Sequence, residues 1–562
     1  MIPATPPATL DASLQTLAAH RESWLAVPAH EKVGHLRTVM RRFAEVSDDL
    51  VADALTAKGL DASYAGEDWV SGPISFLRTC RFLAETLDAI VRTGRVPIED
   101  AAIGAGPDGR VTVDVMPGDR WDRLQYRGWT ARVWMEPGIP LAEARQHLGS
   151  IYTKPESATA AVAVVLGAGN VASIAPLDLI HKLFVEGHVA LVKFSPVNAY
   201  IGPHVEHAFA PLVEAGFVRF AYGGAEVGEY LVGHSLVDEV HITGSEHTHD
   251  LIVFGAGHEG AERKARNAPR FDKRITSELG NVSPVVVVPG HWSRRALAWQ
   301  ARHVATQVVQ NAGYNCNAAK AIVVSSRWRQ RDEFIEALAV VLAARPPRRA
   351  YYPGSEARYE RALAGAPRVR ALGPRSDGFL PPTILEGFSP DTAATAFTEE
   401  AFCQLVAVVD LPESLPGRFL AAAVEFCNHR LRGSLNATIL VDSRTAAAPE
   451  TGVARAADEL QYGSVGINVW AAAAFPLGVT PWGSYPGHRL DDVESGIGFV
   501  HNARLIDRPQ KTVIRAPFVM FPAPPWSVYH RRSAAALRAV ARFEADPGPV
   551  RFAALLGPAL RP

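Results

Sequence analysis

Four cysteines occur in the chain, and Cys316 differs from Cys80, Cys403 and Cys427 in its surroundings. It lies in QNAGYNCNAAKAIVV (310–324), where an apolar helical stretch gives way to small residues ahead of a β-branched run. Such a junction can turn a side chain into a cleft. A thiol with a pKa of about 8.5 is only a few per cent thiolate at neutral pH, yet that fraction is a strong nucleophile. By residue type alone, Cys316 fits a buried structural thiol as readily. The other three sit in helical or strand-edge contexts and are read that way, with no metal-like CxxC spacing among the four. Three further stretches hold groups that thiol chemistry needs. LGAGNVASIAP (166–176) carries Asn170, VDEVHITGSE (237–246) ends in a Thr-Gly-Ser turn, and ITSELGNVSPVVVV (275–288) carries Glu278. A fixed amide can donate to a developing alkoxide. A desolvated carboxylate gains the raised pKa of a general base. Asn170 fits a left-handed turn residue too, and Glu278 a salt-bridged surface acid.

In their order, these stretches resemble the aldehyde dehydrogenase superfamily. ITGSE is similar to its cofactor turn, SELGNVSP to its Glu-Leu-Gly-Gly-Lys-Ser-Pro segment, and NAGYNCNAAK to its nucleophile segment. FTEEAFCQLVAVV (397–409), LRGSLNATILVD, YGSVGINVW and PWGSYPGHRLDDVESGIGF follow in the family's order, so the resemblance runs from about Thr130 to Val513. It implies that Cys316 attacks an aldehyde, that the Asn170 amide and the Cys316 backbone N–H hold the alkoxide, and that Glu278 activates the hydrolytic water. It implies NAD or NADP as cofactor. Lys193 would meet the adenosine ribose with Ser195 beside it, Gly244 and Ser245 the pyrophosphate, and Glu400 the nicotinamide ribose. Glu400 is preferred over Glu399 because it stands two before Phe402. The family's bridging hairpin implies a homodimer or homotetramer.

Several features depart from the family. Gly167-Ala-Gly169-Asn170 replaces its Pro-Trp-Asn, which reshapes the substrate mouth, and the glycine pair is not a dinucleotide fingerprint. Pro196 stands where NAD-preferring members often carry an acid, so NADP is expected to be accepted. Ser245 and Glu278 are 33 positions apart, longer than the family's spacing, and the 46 residues after Ala516 match no family motif. An acyl-thioester reductase is the alternative activity, since GAGNV resembles the fatty acid reductases of bacterial luminescence; Glu278 argues against it. A catalytically silent binding relative is the other alternative, and the presence of Cys316, Glu278 and Asn170 argues against that. Trp470 and Phe475 are expected in the substrate funnel.

The elements that must position these groups are legible as well. From residue 160, β-branched runs (161–166, 189–193, 218–222, 237–243) alternate with amphipathic stretches, the pattern of a doubly wound parallel sheet. A second α/β series begins near Val282, with strands at 285–288, 321–325 and 437–441 and a helix through 295–310. Residues 110–134 read as β-hairpin material, and one basic helix is expected around 532–544. The division that follows is 1–109 N-terminal helices of the nucleotide-binding domain, 110–136 bridging β element, 137–276 nucleotide-binding domain, and 277–476 catalytic domain. Residues 477–516 return to the first two, and 517–562 form an extension. The first ten residues, rich in Pro and Ala, are expected to be disordered. Fifty-seven Lys and Arg against 58 Asp and Glu leave a net charge of −1, which gives nucleic acid or a membrane surface no electrostatic purchase. No secretory leader is visible and the cysteines are few, so a cytoplasmic enzyme is expected.

Overall fold

The β-branched runs resolve into two large sheets in a computed structural model that describes residues 2–106 and 108–559. The N-terminus is not disordered. Pro7–Ala26 forms a helix (α1) that buries Leu10, Leu14 and Leu17 along one face, and Thr5 and Tyr222 exchange two hydrogen bonds of 2.9 Å. Proline in the first turn is the reason the composition misleads, because there its missing N–H costs nothing. A second helix, Ser75–Thr93 (α2), is buried along most of its length. Val111–Met116 (β1) and Thr130–Met135 (β2) then pair antiparallel, with a short helix, Arg120–Gln125, between them.

Val162–Leu166 (β3), Val189–Lys193 (β4), Val218–Ala221 (β5), Glu239–Thr243 (β6) and Arg274–Glu278 (β7) form the first sheet, parallel, in the order β7-β6-β3-β4-β5. The chain winds outward from β3 through β4 and β5, then returns to β3's other side with β6. Ligands of such sheets bind beyond the carboxyl ends at this reversal. Beyond β6 lies Glu246–Val253 (α3), and the long 246–277 segment adds a further helix, Gly257–Ala265.

The second sheet is built from Ser283–Val287 (β8), Ala319–Ser325 (β9), Thr383–Phe388 (β10), Leu405–Leu411 (β11), Asn436–Leu440 (β12) and Ser464–Ile467 (β13), in the order β13-β12-β8-β9-β11-β10. These six are parallel, and helix Arg294–Val309 (α4) connects β8 to β9. Gly496–Ile497 (β14) pairs back with β7, placing Gly496 opposite Glu278. Glu278 therefore ends a strand of the first sheet, and the boundary expected at 277 falls after that strand.

Pro509–Arg515 (β15) joins the bridging hairpin to the second sheet. It pairs parallel with β13 of its own chain (Ser464 opposite Thr512) and antiparallel with β2 (Thr512 opposite Val133). The hairpin thus extends the second sheet within one chain, and the edge of β13 is filled without another subunit. The extension folds into Ser533–Ala545 (α5) and Pro549–Ala559 (α6), of which sequence patterning indicated only the first.

Candidate active site

Helix α4 ends at Val309, and the three residues Asn311, Ala312 and Gly313 all take left-handed backbone, with φ of 52°, 55° and 73°. Only glycine fits the last of them, because a Cβ there would stand 2.4 Å from the Cys403 carbonyl. This tight reversal throws the chain back toward β9 and leaves Cys316 half-buried at its turn. Side-chain hydrogen bonds tie the loop to its surroundings. Asn311 donates to Asn170 O (3.0 Å), Asn315 to Gln310 O (3.2 Å), Trp470 to Asn317 O (2.9 Å) and Ser283 to Cys316 O (3.4 Å). Buried Lys320 donates to the carbonyls of Gly313 (3.0 Å) and Cys403 (2.6 Å), tying the loop to the segment that bears Phe402.

Asn170 reaches the same loop from the turn after β3. Its amide donates to Tyr314 O at 3.0 Å, and its backbone is not left-handed, which removes the turn-residue reading. A primary amide carries two N–H donors. One fixes the side chain, and Asn170 lines the space at the Cys316 thiol. Gly169 permits this approach, since a Cβ there would lie 2.6 Å from Ser195 Oγ.

Glu278 is buried beside that thiol. Burial, with Asp178 and Glu400 adding to it, pushes its carboxyl up to about 8, against the opposing pull of the Cys316 thiol and the Trp482 indole N–H. Burial and the neighbouring Glu278 likewise push the Cys316 thiol well above its ordinary value. Behind Glu278 sits a group that sequence reasoning missed. Thr243, opposite Glu278 in register, donates to Asp178 (3.0 Å), and His241 and His501 lie 3.5 Å and 3.6 Å from the same carboxylate. Burial opposes Asp178's ionisation, yet the two histidines hold it below the usual carboxylate range. No spacing links residues 178, 241 and 501; only folding brings them together.

A cleft of 1280 Å³ runs from Cys316 and Glu278 across the carboxyl ends of β3, β4 and β6. Lys193, Ser195, Gly244, Ser245, Glu400 and Phe402 all line it. Burial lowers the Lys193 ammonium, against the pull of Glu226. Ser245 caps α3 by accepting from the Thr248 N–H at 3.2 Å. Glu399 turns outward to Arg361 (3.1 Å), whereas Glu400 turns inward with Oε1 buried and unbonded. Gly280 makes room for it, since a Cβ there would stand 2.3 Å from Glu400 Oε2. An unpartnered buried acceptor facing a cleft suits a ligand hydroxyl, so the residues fit a nucleotide cofactor. Tyr352, which packs on Phe402 at 4.8 Å, and Arg358 also line the cleft and carried no sequence signal. Away from the cleft, Glu186, His188 and Glu239 converge. Lys182 (2.6 and 2.9 Å) and Arg274 already pair both carboxylates, so that cluster is an ion-pair network.

The sequence model of the aldehyde dehydrogenase family matches residues 157–347. The N-succinylglutamate 5-semialdehyde dehydrogenase of Novosphingobium aromaticivorans is 26% identical over 218 residues, 34% of this chain and 43% of that protein. The aminoacetaldehyde dehydrogenase of Pseudomonas aeruginosa is 28% identical over 206 residues, 34% of this chain and 38% of that protein. The chain thus aligns with less than half the length of these curated relatives. In fold, a glyceraldehyde-3-phosphate dehydrogenase of Methanocaldococcus jannaschii solved with NADP matches with a TM-score of 0.59 at 16% identity, over 91% of this chain and 95% of that one. Lactaldehyde dehydrogenase of Escherichia coli matches with 0.58 at 17% identity, over 91% and 92%.

Proposed function

We propose that the chain is a member of the aldehyde dehydrogenase superfamily and that it oxidises an aldehyde to a carboxylic acid with NAD or NADP. The observation that carries this reading is half-buried Cys316 beside buried Glu278 at the inner end of a cleft that fits a nucleotide. The Cys316 thiol gives its proton to solvent water, and its sulfur bonds to the carbonyl carbon. The carbonyl oxygen becomes an alkoxide facing the Asn170 amide and the Cys316 N–H. Bound nicotinamide would supply the hydride acceptor, and collapse of the alkoxide would leave a thioester on Cys316. Glu278 then takes a proton from water, the hydroxide adds to the thioester carbon, and Cys316 leaves as thiolate with release of the acid. Glu400 would hold the nicotinamide ribose, and Lys193, Ser195, Gly244 and Ser245 the adenosine ribose and pyrophosphate.

The acyl-thioester reductase reading has less support, because it leaves buried Glu278 without a role. No helix among the described residues is long and apolar enough to cross a membrane, and all four cysteines are unpaired, which supports a reducing compartment, the cytoplasm. A homodimer or homotetramer would have to form through a surface other than the filled β13 edge, and light scattering reads this directly.

An aldehyde panel with NAD and with NADP, followed by absorbance of the reduced cofactor, tests the activity. Cys316→Ala should abolish turnover while leaving cofactor binding intact. Retained turnover would sink the reading, as would iodoacetamide labelling mainly at Cys427. Strong stimulation of wild type by coenzyme A, with an acyl-CoA product, would favour the reductase.

A further inference from the structure

The nucleotide cleft reaches Cys316 from one side. A second cavity, of 760 Å³, reaches it from another, and the two share Asn170, Ile174 and Cys316. The second cavity has the size of a small-molecule site. Val469, Trp470 and Phe475 line it along with the thiol, and Arg127 is the one charged residue among its described lining.

A large part of its wall comes from the extension that matches no family motif. Residues 519–526 and the helices α5 and α6 line it, the helices through Leu537, Val540 and Leu555. This segment is firmly seated. Arg78 and Arg81 of α2 both grip the fully buried Glu544 of α5 at 2.8 Å, and Arg78 also donates to Leu477 O of the cavity wall at 2.9 Å. Trp526 meets Trp129 edge-on at 5.8 Å, and Trp121 packs against Phe552 at 5.1 Å. Phe521 and Leu556 line the same cavity yet stand 85% and 47% exposed, so an apolar rim opens to solvent.

We propose that this cavity is the substrate tunnel and that the enzyme's substrates are aldehydes with long, uncharged apolar chains, seated against the C-terminal extension. The proposal rests on the reading of Cys316 as the aldehyde's nucleophile. A tunnel lined mainly by apolar side chains, with one charged residue among its described lining, gains by burying methylenes, whereas a carboxylate tail would lose much of its hydration there.

The test uses the full-length enzyme with saturating cofactor and the straight-chain alkanals from propanal to decanal, with succinic semialdehyde as the charged control. kcat/KM should rise about fourfold per added methylene until the tunnel is filled, and the semialdehyde should fall well below butanal. Ala473→Trp, which narrows the tunnel at a half-buried lining position, should lower the decanal-to-propanal ratio of kcat/KM at least about tenfold. A flat or falling chain-length series, or an unchanged ratio in the variant, would overturn the proposal. Decan-1-ol titrated into Cys316→Ala by calorimetry reads the tunnel without turnover. Binding with a negative heat-capacity change that Ala473→Trp weakens supports it; no binding overturns it. Turnover of no aldehyde at all, with decanol still bound, would instead count against the aldehyde-oxidation reading.

Discussion

Burial keeps both acids of the Cys316–Glu278 pair protonated at neutral pH, so the resting site stores two protons that the chemistry must release. With Glu278 near 8, its basic form is the minor one below that pH, and the deacylation-limited rate should climb about tenfold per unit from pH 6 until it levels near 8. A flat profile between pH 6 and 9 would remove Glu278 as the base. Glu278→Gln should still acylate, because Glu278 is itself one of the groups that raises the thiol. Reduced cofactor should then appear as a burst of at most one equivalent per site, with acyl-Cys316 visible by intact mass, before a steady rate about a hundred- to ten-thousandfold slower. Stability carries the opposite sign. A carboxyl raised from 4.5 to about 8 on folding binds more protons folded than unfolded, so its contribution is full below 4.5 and is lost as pH rises through 8. Glu278→Gln should therefore raise the melting temperature more at pH 9 than at pH 5.

At the scale of elements, the run of left-handed residues after α4 turns a helix end into a nucleophile loop. Gly313→Ala would place a methyl 2.4 Å from the Cys403 carbonyl at a φ of 73°. Backbone strain alone costs about 1–3 kcal/mol, and relief requires the loop to move. A displacement of about 1 Å at a reacting atom can cost about a hundredfold in rate, so kcat should fall by at least that much. Circular dichroism should show the fold retained, and a rate within a few-fold of wild type would show that the loop tolerates the shift. Much here was legible in sequence, since the runs at 162–166, 189–193 and 319–325 fall where β-branched residues cluster. What was not legible is the helix Pro7–Ala26, whose prolines read as disorder but occupy its start.

Over the whole molecule, one fully buried carboxylate anchors the extension to α2. Glu544 has no exposure and answers two arginines, while Arg78 also pairs with Asp122 at 2.6 Å. Removing one member of a buried ion cluster typically costs about 3–5 kcal/mol, because the partners are left charged and unpaired. Glu544→Gln should accordingly speed amide hydrogen exchange across 533–559 without speeding it in the parallel strands of either sheet. Uniform loss of protection would mean that the extension is part of the global core; unchanged protection would mean that the clamp carries no energy.

The order of short stretches around Asn170, Lys193, Ser245, Glu278, Cys316 and Glu400 pointed to a resemblance to the aldehyde dehydrogenases and to a doubly wound fold, because each stretch pairs a local backbone device with a reactive or ligand-binding residue type. Local pattern does not contain distance, and the rest turned on distance. Packing decided that Glu400 faces inward while Glu399 reaches Arg361. It also buried Glu278, the main reason its carboxyl is raised, and gathered Asp178, His241 and His501 behind it, where Asp178 adds to that rise. Pairing of β15 with β13 joined the bridging hairpin to the second sheet, a link between distant stretches that local pattern does not carry. The extension, unexplained by any motif, gained its meaning from where α5 and α6 land, against the far side of Cys316.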